Sequence, residues 1–450
     1  MNRPYSRGLR SALLACALAA PAAHGADLLS IYRQALDNDA QYGSARYALA
    51  AGREKEPQGR SGLLPNANAT AYTTANYANS NFRTPIPGFI LPPPSSFYNT
   101  NGYTVTLTQP LFRWQNWQTW EQSKLLVMQS EAQFAQSGQD LMVRVAQAYF
   151  DVLAAQDALA VAQAQKTAID QQLAQAKRNF EVGKSTIVDT NEAQSRYDLA
   201  GATEIAAQSD LDTKRAALQV LTGRPPSELT PLRTDIKLPP PQPAQLEPWV
   251  DAAQTNNYQV KAQESGMEAA RREVEINRAG HYPTLDLQAQ RLQQNATGGT
   301  TFGVPSETTQ NSVGVQLAIP IFSGGLVTSK TREAAANFDR ARTDLEFQRR
   351  SAAQNARQYY LAVTNGLAQV RAYEAAVLSS QSSLDSNKLG YEVGVRINID
   401  VLNAQQQLYQ TKQNLSKARY DTIVNSFRLK ANAGSLSEDD VRAANALLNQ

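Results

Sequence analysis

The sequence predicts a mainly α-helical chain with a smaller β part, built as two tandem copies of one unit, whose sheet is completed by further copies of the chain. Three observations lead there. From Trp114 to Phe180 there is no proline, and apolar or small residues recur three and four apart, the period of packed helices. Two stretches, 66–110 and 284–320, hold alternating runs that read as strand pairs. Landmarks also recur at a nearly constant offset: Gly183/Gly394, Asp189/Asp400 and Gly223/Gly434 are each 211 residues apart, and Pro110/Pro320 are 210 apart.

The chain opens with Arg3, Arg7 and Arg10, an uncharged run from Ser11 to Ala23, and the small-x-small exit Ala23-His24-Gly25. Together these read as a secretory signal peptide over residues 1–25. The single cysteine, Cys16, lies inside it. Leu13-Leu14-Ala15-Cys16 is either a lipoprotein signal or an incidental apolar stretch lost on cleavage, and Arg10 close upstream favours the second. The mature chain is then expected to have no disulfide or thiol chemistry. Beyond the signal no run approaches the roughly 18 apolar residues of a spanning helix. A net charge of +3 over 450 residues, with no basic stripe, argues against a nucleic-acid partner. Abundant Ala, Gln, Asn and Ser suit long helices with small interfaces, stabilised by packing against one another and against other copies.

The first unit is expected over residues 26–236. Asp27 to Glu56 reads as one helix with Asp27 as N-cap, broken by Pro57 and Gly59. Residues 66–80 alternate small-apolar with polar, and 81–99, with five prolines, reads as a loop. Tyr103, Val105 and Leu107 then alternate with Thr104, Thr106 and Thr108 up to Pro110. Each run is about ten residues, the length of a membrane-crossing strand, although a soluble surface hairpin has the same pattern. A helical hairpin follows over 114–223. Its first helix, on the order of 100 Å long, exceeds any compact domain, so a dimeric rod is the competing reading. The hairpin ends at Thr222-Gly223-Arg224-Pro225-Pro226, a stop signal.

The second unit, 237–450, follows a Pro-rich linker over 225–248 and repeats the order. A helix is expected from Leu246 to Ala279. Leu285, Leu287 and Ala289, then Val313, Val315, Leu317 and Ile319, share one strand face on either side of a loop at 297–310. A helical hairpin over 326–434 and a C-terminal segment complete the chain. Four strands cannot close a membrane barrel, whose smallest examples use eight, and lipid does not tolerate an open edge. Membrane strands here therefore require several chains sharing one barrel, with the helices continuing away from the membrane.

The stretches Tyr391-Glu392-Val393-Gly394-Val395-Arg396, Asp400-Val401-Leu402 and Tyr282-Pro283-Thr284-Leu285-Asp286, set in this doubled order, make the chain resemble the TolC family of outer-membrane export channels over essentially its full mature length. The resemblance implies a homotrimer in a Gram-negative outer membrane. It would share a twelve-stranded β-barrel continued by a twelve-helix periplasmic α-barrel, with the C-terminal segment in the equatorial region. The implied partners are a periplasmic adaptor and an inner-membrane ABC or RND transporter. The cargo is an exported protein, as in type I secretion, or a small molecule, as in efflux.

By the same resemblance Tyr391 and Arg396 match a periplasmic gate, bonding to Asp189 within and between protomers. An Arg–carboxylate link at a partly shielded constriction is worth about 1 kcal/mol, and symmetry repeats it. Asp400 matches the first of two aspartates that ring the entrance, whereas the second position is Asn403. Three carboxylates instead of six would then surround the mouth, and a weaker cation preference is expected. The turns at Gly183 and Gly394 match the adaptor-docking turns, with ordinary interhelical turns as the alternative.

Catalysis has little to build on. The mature chain has one histidine, His281, without a cluster around it, and no phosphate-binding loop or nucleophile elbow. No cofactor and no metal are expected, and Asp439-Asp440 reads as a helix start. Ile86, Phe89, Ile90 and Leu91 are expected in an extracellular loop, either packed or serving as a receptor surface. An outer-membrane-anchored structural or adhesive trimeric coiled coil is the competing function; the doubled turn motif disfavours it, because a stalk needs no gate.

Overall fold

The computed structural model describes residues 26–79, 95–233, 236–298 and 304–449. The expected signal peptide with Cys16, and the loop residues Ile86, Phe89, Ile90 and Leu91, lie outside them. Helices α1 (Leu28–Asn38), α2 (Ala40–Arg53) and α3 (Lys55–Ser61) lead into strands β1 (Asn66–Asn79) and β2 (Ser95–Phe112), then helices α4 (Trp114–Glu181) and α5 (Ile187–Thr222). The second half runs α6 (Glu247–Asn256), α7 (Tyr258–Arg278), one 3-10 turn, β3 (Thr284–Ala296), β4 (Ser306–Ala318), α8 (Leu326–Glu392), α9 (Asn398–Asn432) and α10 (Glu438–Asn445).

Two helices expected to be continuous are interrupted. The 27–56 segment breaks at Asp39, whose backbone is extended and whose carboxylate accepts from Tyr42 N at 2.6 Å, starting α2. The same carboxylate takes both guanidinium nitrogens of Arg144, at 2.9 and 3.1 Å. Pro57 and Gly59 lie inside α3 rather than ending a helix. Pro57 is tolerated because it sits in the first turn, where no intrahelical donor is required. Gly59 is buried, and a Cβ there would meet the Ser123 side chain at 2.4 Å, so its role is close approach to α4. The 246–279 segment breaks at Asn257, which caps α7 by accepting from Gln259 N and Val260 N.

The long helices match their pattern. α4 has 68 residues and α8 has 67, each about 100 Å at 1.5 Å per residue. Ala155, Ala162 and Ala176 of α4 and Ala193 and Ala200 of α5 are buried, so small side chains line the seam between the paired helices. α4 packs along α5, α8 along α9, and α4 also lies against α7 and α9, which joins the two hairpins. The largest core surrounds the middle of the molecule: Leu28 and Ile31 of α1, Leu141 to Leu153 of α4, Leu218 of α5, Phe427 of α9 and Val441 of α10. Tyr149, fully buried there, donates to Thr230 O at 2.9 Å.

The strands form one antiparallel sheet in the order β1-β2-β3-β4, leaving β1 and β4 as edges. They are longer than the ten residues expected: 14, 18, 13 and 13. β2 begins at Ser95, inside the segment read as loop, and β4 begins at Ser306. β2 also continues past Pro110. That residue has no N–H for the ladder, and the register shifts between Pro110 and Phe112 before pairing resumes.

Register places the apolar residues on a single face. Ala69 pairs with Val105, Leu107 with Ala289, and Leu287 with Val315, all exposed or half-exposed. The stripe runs diagonally. Level with Val105 are Arg291 on β3 and Asn311 on β4, whereas the apolar residues of β4 lie further along, at Val313, Val315 and Leu317. Below the stripe, Ile321 and Phe322 are 95% and 89% exposed, and Leu111, Phe112 and Trp117 are also exposed. Where sheet meets helix, Arg113 grips Asp286 with Nε and Nη2 at 2.8 and 2.6 Å. Asp286 is 5% exposed and lies on the polar face of β3, so this fork fixes the start of α4 against the neighbouring strand.

Candidate functional site

The ends of the two helical hairpins farthest from the sheet carry the residues singled out from the sequence. Both turns close the same way. Gly183 (φ +74°) and Gly394 (φ +83°) adopt the left-handed backbone that favours glycine. Lys184 N then donates to Asn179 O at 2.7 Å, and Val395 N to Gly390 O at 2.9 Å, satisfying carbonyls at the helix end. Val182, Val188, Val393, Val395 and Ile397 project from the two tips, each exposed by more than half.

Asp189 and Asp400 both occupy the third position of the following helix, yet they do different work. Asp189 is engaged in a capping box: Thr186 N and Oγ1 each donate to its carboxylate at 2.9 Å, and its own N–H donates to Thr186 Oγ1 at 3.3 Å. The equivalent N-cap in the second turn is Ile397, which has no side-chain oxygen. Asp400 is therefore less committed, with Ile397 N at 3.5 Å and the Arg396 guanidinium at 3.7 Å. The pair is largely exposed and contributes well under 1 kcal/mol as it stands.

Within one chain Tyr391 does not bond to Asp189. Its hydroxyl accepts from Asn179 Nδ2 of α4 at 3.1 Å. Asp189 is tied to the second hairpin through its backbone, Asn398 Nδ2 donating to Asp189 O at 3.5 Å. Asn398 is 2% exposed, and its Oδ1 accepts a short hydrogen bond from Gln172. Asn403 Oδ1 accepts from Arg196. Near the tips, the links between the hairpins are thus mostly carboxamide bonds, flanked by apolar packing of Ile169, Leu173, Ala193 and Leu402 on one side and Leu384, Val401 and Leu408 on the other.

Sequence reasoning missed Gln172, Asn179, Arg196, Asn398 and Gln406. Polar residues are frequent on these helices, so nothing marks the buried ones. Gly390 was also missed: a Cβ there would stand 2.7 Å from Arg396 Cγ, so its absence lets the Arg396 stem fold back over the helix end. Among the described residues no group of three His, Cys, Asp or Glu could hold a metal ion. No described helix is long and apolar enough to cross a membrane.

An edge-open sheet with an outward apolar stripe, continued by two roughly 100 Å helical hairpins with matched glycine turns, defines the class: a protomer of a membrane-anchored channel with a helical extension. The chain belongs to the outer membrane efflux protein family, which matches residues 31–224 and 249–435. It is 33% identical over 421 residues to the outer membrane protein TolC of Vibrio cholerae, covering 93% of each chain. It is 33% identical over 416 residues to the alkaline protease secretion protein AprF of Pseudomonas aeruginosa, covering 92% of this chain and 85% of AprF. The fold superimposes on the crystal structure of the outer membrane protein VceC from Vibrio cholerae with a TM-score of 0.76 at 17% identity, over 90% of this chain and 96% of VceC. The protein is therefore an outer-membrane export channel component of a Gram-negative bacterium rather than an enzyme.

Proposed function

We propose that three copies of this chain form the exit duct of a tripartite export system, opened at its periplasmic end by an adaptor and an inner-membrane transporter. The observation that carries this reading is the sheet. Its two edges, β1 and β4, are unpaired among the described residues of one chain, and its apolar stripe would meet lipid. Lipid forbids free edges, so β4 of one copy must pair with β1 of the next. Three copies give twelve strands. The diagonal course of the stripe is what strands tilted at about 35–45° in a barrel produce. The opposite face carries Asn, Thr, Gln, Ser and Tyr, with Asp286 its one charge among the described residues, and suits a water-filled lumen.

The recurring order of elements reflects two tandem repeats, 26–236 and 237–450, preceded by a signal peptide at 1–25. Asp189, Tyr391 and Arg396 act as gate residues, with Arg396 reaching a neighbouring protomer's Asp189 in the trimer. Asp400 and Asn403 line the entrance. The exposed valines around Gly183 and Gly394 offer the adaptor an apolar surface at the tips. Relatives named for protease secretion support a protein cargo delivered by an ABC transporter. The CzcC relative, named for cobalt-zinc-cadmium resistance, is the ground for the alternative of small cargo and an RND pump.

Planar-bilayer conductance tests this. The wild type is expected to give a small, mostly closed conductance that rises several-fold in Tyr391→Phe with Arg396→Ser. Equal conductance in both would remove the gate assignment, and no conductance in either would favour an anchored stalk.

A further inference from the structure

Near the tips, the hairpins are also linked through a cation that the sequence did not single out. Arg196 lies on α5, two turns after Asp189. Its Nη1 donates to Gln406 Oε1 at 2.8 Å and its Nη2 to Asn403 Oδ1 at 3.2 Å. Asn403 and Gln406 are three residues apart on α9 and so share a face. A planar guanidinium can span both, which a lysine ammonium does not do. Neither acceptor is charged, and no carboxylate forms an ion pair with Arg196 among the described residues. α5 and α9 otherwise meet over few residues, so this fork is a large share of what joins them.

We propose that Arg196 is a positioning residue of the closed state, strapping α9 to α5 through Asn403 and Gln406. The proposal rests on reading the paired turns as a closable entrance. For the second hairpin to swing outward, both bonds to one guanidinium must break together. The departure at position 403 then has a physical counterpart. An asparagine there accepts from Arg196 without adding charge.

The test is bilayer conductance of the purified full-length protein, with folding checked by circular dichroism. Arg196→Ala is expected to raise the closed-state conductance about fivefold. Arg196→Lys combined with Asn403→Asp rebuilds the strap as an ion pair. It should restore closure near ~0.1 M salt and lose it near ~1 M, where screening shortens the range of the attraction to about 3 Å. A residue that merely stabilised α5 would show neither the rescue nor its salt dependence. Wild-type conductance in Arg196→Ala, while Tyr391→Phe with Arg396→Ser opens the pore, would overturn the strap and leave the channel standing. Conductance in Arg196→Lys with Asn403→Asp as high near ~0.1 M salt as in Arg196→Ala would also overturn it. Silence in every variant would overturn the channel reading and the strap with it.

Discussion

Asn179 Nδ2 donates a 3.1 Å hydrogen bond to the Tyr391 hydroxyl, joining the last turn of α4 to the last turn of α8 across 212 residues of sequence. It links the outgoing helix of the first hairpin to its counterpart in the second, beside the two glycine turns. The bond is neutral on both sides. Its strength is therefore set by geometry and shielding rather than by salt.

Removing either partner should loosen the closed state. A neutral hydrogen bond of this kind contributes about 1 kcal/mol, so Tyr391→Phe and Asn179→Ala are each expected to raise the open population roughly fivefold. The double variant should do no more than either single one, because both remove the same bond. Single-channel open probability in bilayers measures this. Additive effects would show that Tyr391 has a second partner, such as Asp189 of the same or a neighbouring protomer.

The two faces of the sheet should respond oppositely to charge. Val315 lies on the apolar stripe, and its neighbour Gln316 on the polar face. Val315→Arg is expected to reduce recovery of folded protein in the outer-membrane fraction, because a charge turned to lipid costs about 2–4 kcal/mol at the bilayer midplane and less towards the interfaces. Gln316→Arg should fold normally and shift the reversal potential towards anions. Equal tolerance at both positions would remove the barrel assignment of this face.

The Arg144 guanidinium hydrogen-bonded to Asp39 holds that carboxyl below the usual carboxylate range, against an opposing effect of burial. A depressed folded-state pKa stabilises the fold at pH values above the unfolded pKa, near 3.9, and the contribution disappears as pH falls through the lower folded value. Asp39→Asn keeps a competent N-cap for α2 but removes the ion pair. It should lower stability by about 2 kcal/mol at neutral pH, the worth of charge-assisted hydrogen bonds at a part-buried site, read as a lower urea midpoint. The gap from wild type should close below about pH 4. A constant gap across pH would assign the loss to packing instead.

Much of the architecture was legible because its signals are local. The absence of proline over 67 residues, the three-four spacing of small residues and the glycine turns specify α4, α5, α8 and α9 directly. The breaks at Asp39 and Asn257 were missed because each depends on a side chain capping a new helix, and at Asp39 also on Arg144, 105 residues away. Strand lengths were underestimated for a related reason. Alternation weakens towards the loops, and only pairing across the sheet shows where β2 begins and how it passes Pro110.

The candidate site divides along the same line. Gly183, Gly394, Asp189 and Asp400 stand out from the sequence because a turn demands a left-handed residue and a following helix favours an acid in its first turn. Those requirements act within a few residues, and the doubled motif records them twice. What Tyr391, Asn398 and Asn403 bond to is settled by how α4 and α5 lie against α8 and α9. A hydrogen bond between helices some 200 residues apart leaves no periodicity in either. The sequence by itself determined the long helices, the turns and the alternating strands, since each follows from backbone preference and short-range patterning. The replacement of Thr186 by Ile397 at the second cap, which leaves Asp400 less bound than Asp189, is equally local. Only the tertiary structure decided that Asn179, Gln172 and Arg196 join the two hairpins near their tips, because those bonds exist only once separate helices lie side by side.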